Sequence, residues 1–159
     1  MKQKDVQMQP VHRKTLRSLY VIGLIIMAFT GFGQMPLYKR YYISDIPGLS
    51  WAADFFVTHY IHYLGAMFLL GLFAYLVLDF LLTGSKTRRL TRSAWIRIVL
   101  MGGIVFTGVF RVLKNMQDVS FSPGFTFFID IAHIGFMMFY LMAALVFLIL
   151  KTGWLVEKS

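Results

Sequence analysis

The sequence predicts an all-α integral membrane protein, a four-helix bundle with both termini on the cytoplasmic side. Three observations carry this. Hydrophobic residues make up 58% of the 159 residues and charged residues only 14%, whereas a soluble domain is about 45–50% apolar and roughly 25% charged. Four apolar runs each approach or exceed the roughly 20 residues that cross about 30 Å of hydrocarbon. Basic residues gather in the three segments that four crossings place on one side, which the positive-inside rule makes cytoplasmic.

The expected spans cover about 16–35, 54–82, 95–113 and 125–150, within a single membrane domain over 1–159. The first holds L-Y-V-I-G-L-I-I-M-A-F-T-G-F-G, and Pro36, Pro47 and Gly48 break the chain after it. The second is long enough to tilt or to project from the bilayer. A short basic loop, G-S-K-T-R-R-L-T-R-S, leads to the third. Asn115, Asp118, Ser120, Ser122, Pro123 and Gly124 separate the third from the fourth. No internal repeat or low-complexity tract is evident. Lys2, Lys4, Arg13, Lys14 and Arg17, then Lys86, Arg88, Arg89, Arg92 and Arg97, then Lys151 and Lys158 mark the cytoplasmic segments. The net charge of +9 follows from these loops rather than from nucleic-acid binding. The polar start, M-K-Q-K-D-V-Q-M-Q-P-V-H-R-K, carries no secretory-signal pattern. The chain has no cysteine. That excludes disulfides, thiolate haem ligation, cysteine-bound iron–sulfur clusters and C-x-x-C-H haem attachment.

Four histidines remain. His12 lies in the polar tail and reads as a solvated residue. His59, His62 and His133 fall inside spans, where ionisable groups are functional candidates. His62 stands eight residues past Asp54, roughly 12 Å at a helical rise of about 1.5 Å, and His133 nine past Gly124, roughly 13 Å. Two helices thus bring imidazoles to nearly one depth, as binding a single metal from opposite sides requires. His59 lies one turn shallower and about 60° round the helix. Nearby acids are Asp54 and Asp130, too few for a convincing bare metal site. A haem needs two axial imidazoles and an apolar slot. Gly65, Ala66, Gly102, Gly103, Gly108 and Gly135 permit close approach. Arg111 and Lys114, with Lys39, Arg40, Tyr41 and Tyr42, are candidate partners for haem propionates. Each feature has a plainer alternative: glycines pack helices, Arg111 pairs with Asp130, and histidines bond neighbouring helices.

The stretches A-F-T-G-F-G-Q-M-P, I-H-Y-L-G-A, T-G-V-F-R-V-L-K-N and D-I-A-H-I-G-F, taken in order, resemble the membrane cytochrome b subunits of respiratory formate dehydrogenases, nickel–iron hydrogenases and thiosulfate reductases. The resemblance covers most of the chain and its motifs are loose. It implies an outer b haem on a histidine of the second helix and one of the fourth. His62 and His133 match those positions. The family's inner haem uses histidines of the first helix and further along the fourth, and both are absent here. The resemblance therefore implies a variant with one haem b, its iron held by His62 and His133, with Gly65 and Arg111 beside the group. It implies a prokaryotic cytoplasmic (inner) membrane and electron exchange between the quinone pool and an outward-facing partner, such as an iron–sulfur or multihaem cytochrome subunit. His59 reads either as a group serving quinone or its protons, or as a structural neighbour of His62. Depth and the H-x-x-G context favour His62 over His59 as ligand. The chain would be an electron-transfer subunit of an oxidoreductase complex rather than a stand-alone enzyme. The competing reading is a haem-free membrane anchor of a larger complex. A transporter is disfavoured because no paired broken helices mark a midplane site.

Overall fold

The computed structural model describes residues 10–158, with side chains described from Lys14 onward. Lys2, Lys4, and the side chains of His12 and Arg13, lie outside that description. The described residues are all-α apart from one small ribbon. Among them, four helices are long and apolar enough to cross a membrane: Lys14–Gly33, Phe55–Gly84, Arg92–Leu113 and Pro123–Ile149. The protein is thus an integral, multi-pass membrane protein. Most of its large apolar side chains are exposed, among them Ile25, Phe56, Val99, Phe127 and Ile149. On a spanning helix such a surface faces lipid tails.

The chain divides into two compact units, residues 1–83 and 84–159. In the first, α1 (Pro10–Gly33) and α3 (Phe55–Asp79) pair as a hairpin. Gly23 meets Leu69 and Gly33 meets Thr58, so the helices run antiparallel. Their connection is structured. Pro36 precedes the short α2 (Leu37–Arg40), and 3₁₀ turns follow at Ile43–Asp45 and Ser50–Ala53. Tyr38 is buried against Phe29 and donates its hydroxyl to the Phe29 carbonyl at 3.0 Å, which ties the connection to the end of α1. Burial raises the Tyr38 pKa above the ordinary phenol value. Asp54 caps α3, its carboxylate accepting from the Phe56 and Val57 amides at 2.8 and 3.1 Å. A π-helical turn, Phe80–Gly84, ends the helix.

In the second unit, α4 (Arg92–Leu113) and α5 (Pro123–Ile149) form another antiparallel hairpin. Thr91 caps α4. Ser122 caps α5, with Pro123 at the first helical position, where no amide proton is missed. Within the short basic loop, β1 (Arg88–Leu90) pairs antiparallel with β2 (Leu155–Glu157). Arg97 is buried beside this ribbon, its guanidinium over the rings of Phe147 and Trp154 and donating to the Thr152 carbonyl at 3.2 Å. Three residues on each strand are too few for an alternation pattern to register in sequence.

Candidate functional site

His62 sits on the α1-facing side of α3. Thr58, four residues before it, and Leu69, seven after, are buried on the same seam. Across from it α1 presents Thr30 and Gly31. The Thr30 hydroxyl donates to the Ile26 carbonyl at 2.8 Å, the i−4 bond open to a helical threonine. Its oxygen lies 3.0 Å from His62 Nδ1. A hydroxyl has one proton. With the hydroxyl proton on that carbonyl, Nδ1 is the donor to Thr30 Oγ1 and the basic lone pair is on Nε2; with the hydroxyl turned to the ring, the roles reverse. Gly31 gives the ring its place: a Cβ there would stand 3.3 Å from His62 Cε1.

The second hairpin repeats this arrangement. The Thr107 hydroxyl donates to the Gly103 carbonyl at 2.7 Å and lies 3.0 Å from His133 Nδ1. Gly108 makes room for the ring, a Cβ there standing 3.4 Å from His133 Cε1. Ile129, four residues before His133, and Tyr140, seven after, are buried on the seam. No repeat was evident in the sequence, and the structure corrects that. Phe29-Thr30-Gly31 and Phe106-Thr107-Gly108 are equivalent tripeptides, each opposite one histidine. The two threonines were missed as site residues, and the recurrence of F-T-G was the signal that would have found them.

A further layer is also equivalent in position but not in chemistry. His59 precedes His62 by three residues, as Asp130 precedes His133. Gln34 follows Thr30 by four, as Arg111 follows Thr107. In the first hairpin His59 Nδ1 lies 3.1 Å from the Gln34 Oε1, which accepts its proton. The His59 ring stacks on Phe55 at 5.1 Å and meets Tyr63 at 4.2 Å between centroids. In the second hairpin Arg111 Nε meets Asp130 at 3.2 Å, and Lys114 Nζ reaches both oxygens of the same carboxylate at 2.8 Å. One hairpin has a hydrogen-bonded polar pair and the other an ion-paired cluster of two basic residues and one acid.

The remaining candidates distribute as follows. Gly65 packs against α1, where a Cβ would meet Met27 Sδ at 2.8 Å. Gly103 faces the Phe136 ring, while Gly102 and Gly135 have nothing within 4 Å of a would-be Cβ. Lys39, Arg40, Tyr41 and Tyr42 are exposed in the first connection. His62 lies eight residues past its helix cap and His133 eleven past its own, roughly 12 and 16 Å along the respective axes. The second value is larger than the sequence suggests because α5 starts with its cap at Ser122. Among the described residues, no three of His, Cys, Asp or Glu gather as a set able to hold a metal ion. Each histidine instead offers a single oriented imidazole, the donor that an axial haem position takes.

No protein-family model, no curated protein and no solved structure matches the chain.

Proposed function

We propose that the chain is a b-type haem membrane subunit of a respiratory electron-transfer complex, of the kind found with formate dehydrogenases, nickel–iron hydrogenases and thiosulfate reductases. His62 and His133 are its iron ligands, and one haem b per chain is expected. The observation that supports this is the twice-built Thr–His–Gly arrangement, which holds Nδ1 of each imidazole 3.0 Å from a buried threonine hydroxyl. Ligating histidines characteristically donate their other ring N–H to a fixed acceptor, so the residues present fit the group. When bound, the haem supplies one-electron exchange between ferric and ferrous iron.

The protein's own groups divide the remaining work. Arg111 and Lys114 share one carboxylate, and the cation left uncompensated suits a propionate. His59, held by Gln34 and stacked on Phe55, supports the first hairpin near His62 rather than ligating. Electrons would pass between the quinone pool and an outward-facing iron–sulfur or multihaem partner in a prokaryotic cytoplasmic membrane. A second reading is a haem-free anchor. It is favoured by the same two bonds, since His62–Thr30 and His133–Thr107 join helices whether or not a cofactor is bound. A dithionite-reduced minus oxidised spectrum of purified protein, after haem supplementation, separates the readings. A b-type α band and Soret shift are expected. A flat difference spectrum leaves the anchor.

A further inference from the structure

We propose that Thr30 and Thr107 are positioning residues, one per hairpin, that lock His62 and His133 in the Nδ1–H tautomer and so present Nε2 as the ligating nitrogen. The tautomer part stands on geometry alone, and the ligation part rests on the haem reading above.

The distances favour one direction for each bond. Thr30 Oγ1 is 2.8 Å from the Ile26 carbonyl and 3.0 Å from His62 Nδ1. Thr107 Oγ1 is 2.7 Å from the Gly103 carbonyl and 3.0 Å from His133 Nδ1. A carbonyl only accepts, so a hydroxyl that gives its proton to the carbonyl leaves the imidazole to donate, and each hydroxyl has a second carbonyl in reach, Met27 at 3.4 Å and Ile104 at 3.1 Å. Thr30 is 1% exposed and Thr107 5%, which leaves water no access to either hydroxyl. A hydroxyl already donating is also the better acceptor, because chained hydrogen bonds polarise one another. Threonine suits the task because β-branching in a helix restricts its χ1 to rotamers that reach the preceding turn. The glycine after each threonine completes the device by leaving open the space beside the Cε1 edge that a Cβ would crowd at 3.3 or 3.4 Å. An imidazole held by one nitrogen and seated on glycine has its other nitrogen aimed in a fixed direction.

The test uses the full chain with 15N-labelled histidine and four variants: Thr30→Val, Thr107→Val, Thr30→Ser and Thr107→Ser. Valine keeps the shape and removes the acceptor, and serine keeps the acceptor. In haem-free protein, the imidazole 15N shifts of His62 and His133 should report protonated Nδ1 and unprotonated Nε2. Each valine variant should lose that pattern at the facing histidine only, and each serine variant should keep it. An Nε2–H tautomer in the parent protein, or unchanged shifts in both valine variants, overturns the assignment. In haem titrations, each valine variant should bind about 10–100-fold more weakly, as loss of a partner to a metal ligand typically does. Its midpoint potential should rise, because a less basic imidazole favours ferric iron less, and serine should restore both. Unchanged affinity and potential in valine variants of a haem-binding parent overturns the ligation part. A parent that binds no haem defeats the haem reading instead, and the 15N shifts still decide the tautomer part.

Discussion

The two hairpins share a seam and differ in almost everything placed around it. Both oppose a Thr-Gly step to a histidine, with the same i−4 carbonyl bond and the same ring contact. The next layer is Gln34–His59 in one and Arg111–Asp130–Lys114 in the other. Packing on the far side of the histidine is reversed. In the first hairpin the small residue is Gly65 on α3, opposite Ile26 and Met27 of α1. In the second it is Gly103 on α4, opposite Phe136 of α5. Ile26 and Gly103 occupy equivalent positions, four before the threonine, as Gly65 and Phe136 do, three after the histidine. Volume is conserved across the helix pair while the side that supplies it changes, the kind of exchange cores tolerate best. The invariants are the groups that orient an imidazole. Interhelical hydrogen bonds in membranes average only about 0.6 kcal/mol, so the Thr–His pairs contribute little to stability beside what they do to orient the rings.

The comparison can be broken most severely at the histidines. On the proposed haem reading, His62→Ala and His133→Ala should each abolish a low-spin b-haem spectrum, and equal loss is the signature of equivalent roles. Retention in one variant alone would end the equivalence. Below that in size comes packing. Gly103→Ala drives a Cβ to 2.6 Å from the Phe136 ring, and overpacking of this kind costs about 1–3 kcal/mol. Gly65→Ala is crowded by the flexible thioether of Met27, which can turn aside, and meets Ile26 only at ordinary contact distance. Thermal unfolding in one detergent should therefore show a clearly lower Tm for Gly103→Ala than for Gly65→Ala.

The polar layers give a smaller effect. Asp130→Asn leaves Arg111 and Lys114 facing each other without their shared carboxylate. Asp130 is 35% exposed in its side chain, so solvent screens the loss, and about 1 kcal/mol is expected. The same loss should shrink as salt is raised, which a Tm series across ionic strength would reveal. Gln34→Asn should show a weaker salt dependence, because the substitution breaks no ion pair. The smallest effect belongs to Gly102. Nothing lies within 4 Å of a Cβ placed there, so Gly102→Ala should be neutral or stabilise by up to roughly 1 kcal/mol through helix propensity.

Much of the fold was legible because lipid imposes it. Apolar runs of sufficient length, broken at Pro36, Pro47 and Gly124, place the helices to within a few residues. Asp54 and Ser122 stand where helix caps are expected. His62 and His133 were conspicuous because a titratable ring in an apolar span is costly. Their threonine partners were not, since a threonine on a membrane helix satisfies its own hydroxyl on the preceding turn and gives no sign of a second bond. The repeat was hidden for a different reason. The connection from Gln34 to Asp54 is longer than that from Lys114 to Ser122, so the two halves fall out of register after their first helices. Substitutions such as Gln34 for Arg111 and Gly65 for Phe136 then remove what likeness remains outside F-T-G and the histidine. The β1–β2 ribbon depends on residues far apart in the chain, and no local pattern announces it.

The most direct measurement is a pyridine haemochrome count on the purified chain, normalised to protein by amino-acid analysis. One b haem per chain is the expected result, as two imidazoles and a single bis-histidine group require. Two haems per chain would contradict the pairing of His62 with His133, and none after haem supplementation would contradict the haem assignment itself.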